Sequence, residues 1–125
     1  MEFRVFKCNS CGSIVFKIKD KGANPVCCGQ NMKELVPGET DGAVEKHVPV
    51  AEVNGSIVTV TVGEVEHPMA EEHYIEFIAI VTSAGVQIKE LAPGQAPKAV
   101  FALAEGETFE YALDYCNLHG LWRSK

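Results

Sequence analysis

Apolar and polar residues alternate with a period of two along much of the chain beyond residue 50. Val58, Val60 and Val62 interleave with Ile57, Thr59 and Thr61, and Asn54-Gly55 just before them is a two-residue hairpin signal. From His73 to Val81 one face of a strand would carry His73, Ile75, Phe77 and Ala79, and the other Tyr74, Glu76, Ile78 and Ile80. From Thr108 onward Phe109, Tyr111, Leu113 and Tyr115 share a face, while Pro93-Gly94 and Gly106 mark further turns. No stretch carries a convincing helical stripe. Short strands at about 8 to 12 residue spacing predict an antiparallel β-sandwich. Upstream, Phe3 to Phe6 and Ser13 to Lys19 predict two short strands. Between the blocks, Leu35 to Gly42 holds the breakers Pro37, Gly38 and Gly42 and little to bury, which predicts a linker over 37–44. The expected organisation is a small domain over 1–36 and a sandwich over 45–125.

Composition narrows this picture. The 125 residues are 46% hydrophobic and 22% charged, as expected of a globular chain. No apolar run reaches the roughly 18 to 20 residues that cross a bilayer, and the segment from Met1 to Phe6 lacks the apolar centre of a signal peptide, so no membrane association and a cytoplasmic location are expected. A net charge of -6 argues against nucleic acid, whose phosphates call for clustered Lys and Arg. A domain of 36 residues is too small to stand on apolar burial alone, and a metal would have to supply the missing stability.

The five cysteines fit that requirement. With no export signal, an odd number of cysteines points to metal or redox chemistry before disulfides. Cys8-Asn-Ser-Cys11-Gly is a turn on which two thiolates converge on one ion, and Cys27-Cys28-Gly supplies two more. Such an S4 set suits zinc and iron alike. Adjacent cysteines cannot both take the usual turn geometry, so the tetrahedron must distort. Cys-x-x-Cys followed by Cys-Cys resembles desulforedoxin, whose Fe(Cys)4 centre is a redox site.

The second ligand block holds all four histidines and the last cysteine. His47 lies in Glu45-Lys46-His47-Val48-Pro49, His67 in His67-Pro68-Met69, His73 opens a strand pattern, and His119 closes Cys116-Asn-Leu-His119-Gly120. A Cys-x-x-His turn is a chelating unit. Imidazoles with one thiolate suit iron, copper or zinc. A blue-copper site would want two histidines and a methionine beyond the second, and none follows His119. Five ligands exceed structural zinc and leave an octahedral ion one open position.

Taken together, Cys8-x-x-Cys11, Cys27-Cys28-Gly29, Glu45-Lys46-His47-Val48-Pro49, His67-Pro68-Met69, His73-Tyr74 and Cys116-Asn117-Leu118-His119-Gly120 resemble the desulfoferrodoxins, the two-iron superoxide reductases, over nearly the whole chain. The resemblance implies an all-β protein, with a small desulforedoxin-like metal-binding domain followed by an immunoglobulin-like antiparallel β-sandwich. It implies two iron ions per chain: Fe(Cys)4 on Cys8, Cys11, Cys27 and Cys28, and Fe(His)4(Cys) with His47, His67, His73 and His119 equatorial and Cys116 axial. It further implies that Lys46 approaches the vacant position, that Glu45 occupies it on ferric iron, that superoxide is the substrate, and that a rubredoxin-like protein donates electrons to a homodimer.

Overall fold

The computed structural model describes residues 2–40 and 42–125. The chain separates into two compact units, Glu2–Val36 and Pro37–Lys125.

In the first unit β1 (Val5–Lys7) lies between β2 (Ile14–Phe16) and β5 (Lys33–Leu35) in an antiparallel sheet, while β3 (Val26–Cys27) and β4 (Gln30–Asn31) form a separate hairpin. Its buried cluster is Phe6, Cys8 and Met32, with Cys27 packed against it. Two of the four thiols are therefore part of the core they would stabilise. Charged side chains brace the sheet: Arg4 Nε donates to Glu34 Oε2 at 2.8 Å, Arg4 also pairs with Asp20, and Lys17 Nζ donates to Asp20 Oδ1 at 2.8 Å.

The second unit opens with a single helical turn, α1 (Val44–His47), followed by β6 (Pro49–Asn54), β7 (Ile57–Val62), β8 (Ile75–Thr82), β9 (Gly85–Glu90), β10 (Lys98–Ala102), β11 (Phe109–Cys116) and β12 (Gly120–Arg123). Two antiparallel sheets, ordered β10-β7-β6 and β12-β11-β8-β9, face each other as an immunoglobulin-like sandwich. Val58, Val60, Val62, Ala99 and Phe101 from one sheet meet Ile75, Ile78, Ile80, Ala112 and Cys116 from the other in one core. Cys116 thus ends a core strand, which fixes its thiol at the edge of the buried cluster.

Three local departures from simple alternation matter. The tight turn between β6 and β7 is Gly55-Ser56, one residue later than the Asn54-Gly55 reading, because Asn54 still pairs with Ile57 and Gly55 takes the positive φ of 62°. In β8 the pairing passes from Tyr115↔Phe77 to Cys116↔Ile75, so Glu76 has no opposite number. This bulge brings Ile75 into the same core as Ile78 and Ile80, which strict alternation puts on the opposite face. A second bulge between Phe109 and Tyr111 separates Phe109, packed on the core, from Tyr115, stacked on Phe77 at 5.7 Å. The helical turn α1 is too short to show a periodicity. It is held from outside itself, by Val65 N–H donating to the Glu45 carbonyl at 2.9 Å.

Candidate metal centres

The four cysteines of the first unit come together through two turns. Cys11 N–H donates to Cys8 Sγ at 3.4 Å, and Gly12 N–H to the Cys8 carbonyl at 2.9 Å, which curls the first turn around the sulfur. Cys28 takes a left-handed backbone, φ 53°, uncommon for a residue with a side chain. That conformation is how neighbouring cysteines both reach one point, with sulfurs 3.9 Å apart. Cys11 and Cys27 Sγ lie at 3.6 Å. Tetrahedral bonds of about 2.3 Å to one ion would set sulfurs about 3.8 Å apart. Hydrogen bonding to the Ser13 side chain lowers the Cys11 thiol to about 6, whereas the Cys11, Cys8 and Cys28 thiols crowding Cys27 push it up to about 12. The Cys11 amide lowers the Cys8 thiol as well, whereas the Cys11 and Cys8 thiols raise Cys28, so two of the four sulfurs favour the thiolate and the other two need a cation to offset their crowding. All the cysteines are free thiols.

In the second unit His47, His67, His73, Cys116 and His119 present donor atoms that all lie within 4.8 Å of one another. The imidazoles form a closed cycle of edge-to-face neighbours: His47–His67, His67–His73, His73–His119 and His119–His47, with ring centroids 4.7 to 5.0 Å apart. His47 therefore stands opposite His73, and His67 opposite His119.

Protonation argues for a cation inside this cycle. His47 Nδ1–H donates to the Ala43 carbonyl and His67 Nδ1–H to the Pro68 carbonyl, each at 2.7 Å, which leaves Nε2 of each neutral ring a lone pair. Burial favours the neutral ring, lowering His47 and His73 below the ordinary value and His67 to about 4. Yet His47 Nε2 faces both His67 Nε2 and His119 Nδ1 at 3.1 Å, and His73 Nε2 is buried with no partner. Lone pairs so placed repel unless a positive ion lies between them. Metal–nitrogen bonds of about 2.1 Å at right angles put adjacent donors about 3.0 Å apart, so the spacing fits. Burial raises the Cys116 thiol, and the Leu118 and His119 amides counter this by donating toward its sulfur.

Residues outside the donor set hold it in place. The Trp122 indole stacks on His47 at 5.1 Å, and its Nε1–H donates to the His119 carbonyl at 3.0 Å, where Thr40 Oγ–H also donates. Gly42 fits against them closely: a Cβ there would lie 3.1 Å from Trp122 Cζ2, 3.2 Å from His119 Cβ and 3.3 Å from His47 Cε1. Residues expected only to link the two blocks thus touch the second centre. Sequence reasoning missed Thr40, Gly42 and Trp122, although the single tryptophan three residues beyond His119 was an available signal. It also missed Asp114, two residues before Cys116, whose carboxyl is wholly buried with neither oxygen partnered and is pushed well above the carboxylate range by burial.

Lys46 and Glu45, adjacent on α1, face different clefts. Lys46 lines an open cleft of about 640 Å³ with His67, Met69 and the 94–97 loop. Its charge is felt at His47 and His73, where it adds to burial in lowering their basicity. Glu45 instead lines a cleft with Val48, Pro49 and Phe109.

A tetrathiolate cluster and a separate imidazole ring with one thiolate, the latter on an all-β sandwich, define a non-haem metalloprotein with two mononuclear centres. The desulfoferrodoxin family profile matches residues 39–125, and that of the desulfoferrodoxin N-terminal domain matches residues 1–35. The desulfoferrodoxin of Nitratidesulfovibrio vulgaris is 44% identical over 99% of this chain and 97% of its own length, and a desulfoferrodoxin homolog of Archaeoglobus fulgidus is 46% identical over 97% and 95%. Among solved structures, the superoxide reductase from Treponema pallidum superposes with a TM-score of 0.85 at 37% identity over the whole of both chains. The chain belongs to the desulfoferrodoxin family, and its two donor sets match that family's two iron centres.

Among the described residues no helix is long and apolar enough to cross a membrane.

Proposed function

We propose that this chain is a superoxide reductase, converting superoxide to hydrogen peroxide with one electron and two protons and evolving no dioxygen. The observation that carries the reading is the cycle of four imidazoles with inward-facing nitrogens and one buried thiol, beside a cleft that holds a lysine. The likeness to the Treponema pallidum superoxide reductase over the whole chain supports the same chemistry.

Iron held by His47, His67, His73, His119 and Cys116 would supply the electron and one open position for a small anion. The protein's residues do the rest. The Lys46 ammonium draws superoxide into a chain that is otherwise acidic and offsets negative charge as peroxide forms. Water in the open cleft supplies the two protons. Glu45, which lines the cleft with Val48 and Pro49, would be the carboxylate that closes the open position on oxidised iron. The Ala43 and Pro68 carbonyls keep His47 and His67 presenting Nε2 throughout.

Residues 1–36 would carry the Fe(Cys)4 centre as a staple for a very small core, and residues 45–125 the reductase site. A rubredoxin-like one-electron donor, a homodimer and a cytoplasmic location complete the reading.

Stoichiometry tests it. Metered superoxide given to the prereduced protein should yield one peroxide per superoxide with no dioxygen beyond the uncatalysed background. One peroxide per two superoxides, with dioxygen, would make the chain a dismutase.

A further inference from the structure

Three of the four histidines are held in the donor set by hydrogen bonds to the ring or to the residue's own carbonyl. His47 and His67 donate Nδ1–H to carbonyls, and the His119 carbonyl receives Trp122 and Thr40. The His73 ring makes no hydrogen bond among the described residues, and its Nε2 is buried without a partner. Its place depends on the backbone of 72–74. That backbone is gripped by one side chain from the other ligand turn: Asn117 Nδ2 donates to the Glu72 carbonyl at 3.1 Å, and Asn117 Oδ1 accepts from Tyr74 N–H at 3.0 Å. The Asn117 backbone N–H adds a third bond to the Tyr74 carbonyl at 3.2 Å. The primary amide thus straddles His73, spending its donor on one neighbour and its acceptor on the other. Behind His73 the chain is closed by reciprocal bonds with Ala70, at 3.0 and 3.1 Å.

We propose that Asn117 is a positioning residue of the second centre, which fixes His73 relative to Cys116 by clamping the 72–74 backbone to the Cys116–His119 turn. An asparagine suits the task because it combines one donor and one acceptor on a short, planar arm. Aspartate keeps the acceptor but sets an oxygen against the Glu72 carbonyl, and alanine loses both bonds. The role differs from that of the Leu118 and His119 amides, which act on the sulfur. Asn117 acts on the spacing between an imidazole and that sulfur.

The inference rests on the metal-centre reading, and the experiment separates the two. Iron-loaded Asn117→Ala and Asn117→Asp are compared with the unaltered protein by visible and electron paramagnetic resonance spectra and by iron release to a chelator. The Fe(Cys)4 centre, on a different unit, is the internal control. Asn117→Ala should shift the charge-transfer band and resonance anisotropy of the second centre and release its iron about 10-fold faster, the lower end of what outer-shell ligand partners contribute. The Fe(Cys)4 signature should stay unchanged, with Asn117→Asp falling between. If Asn117→Ala does not fold, the aspartate variant carries the comparison alone. Unchanged second-centre spectrum and release rate would overturn the clamp. So would equal perturbation of both centres, which marks general loosening. An unaltered protein with no second-centre band would sink the metal-centre reading instead.

Discussion

Replacing Lys46 with alanine tests whether a local positive charge guides a small anion to the second centre. Lys46 is exposed on the wall of the cleft it shares with His67, so its charge acts through a medium closer to water than to protein interior. Coulomb's law in such a medium gives about 1 kcal/mol for unit charges near contact, or about fivefold in a bimolecular rate constant. Lys46→Glu reverses the charge and should cost about twice that free energy, roughly 30-fold. The salt dependence carries a second signature. Attraction by Lys46 makes the rate fall as ionic strength rises, whereas the net charge of -6 repels superoxide and works the other way. Alanine should therefore flatten or reverse the salt slope, and Lys46→Arg should keep it. Fast mixing or pulsed generation of superoxide at several ionic strengths, with iron content checked in each variant, measures both. An unchanged rate constant and slope in iron-replete Lys46→Ala would refute the steering argument.

Cys11→Ser should remove the Fe(Cys)4 iron and the cooperative unfolding of residues 2–36 while leaving the second-centre spectrum intact; turnover with the physiological donor that survives this loss would show that the first iron does not relay electrons. Asp20 is held below the ordinary carboxylate range mainly by Lys17, and Glu34 by Arg4. Their contribution to the first unit is therefore present above the unfolded values, about 3.9 and 4.3, and is lost as pH falls through the lower folded ones. Thermal melts followed at the Fe(Cys)4 band should show an acid-side loss below about pH 4 that shrinks in Arg4→Ala; an identical acid profile in that variant would count against the bracing. Phe101, 1% exposed in the sandwich core, should cost about 3 to 5 kcal/mol as alanine in urea unfolding, and less than about 1 kcal/mol would mean the core is looser than drawn.

The nine metal donors were legible in the sequence because the chemistry restricts residue type and, within each turn, spacing. A Cys-x-x-Cys or Cys-x-x-His turn announces itself over four residues. The strands were legible from alternation at Ile57 to Val62, where both ends lie in regular pairing. Alternation failed at Glu76 and near Phe109, since a bulge adds one residue to one strand and shifts every face beyond it, and nothing local marks the spot. The helical turn α1 was hidden for a different reason: four residues cannot display a 3.6-residue period. Thr40, Gly42 and Trp122 act across long separations, as with Thr40 and His119, 79 residues apart, and such contacts exist only once the chain has closed. Asp114 was invisible because a carboxyl on a strand reads as a solvent-facing residue until the opposite sheet is placed over it.

Iron content with the visible spectrum of the purified, oxidised protein tests the central claim most directly. Two irons per chain are expected, with sulfur-to-iron absorption from the tetrathiolate site and a separate band from Cys116 that disappears in Cys116→Ser while the first set remains. Zinc in place of iron, or a spectrum that Cys116→Ser leaves untouched, would contradict the account.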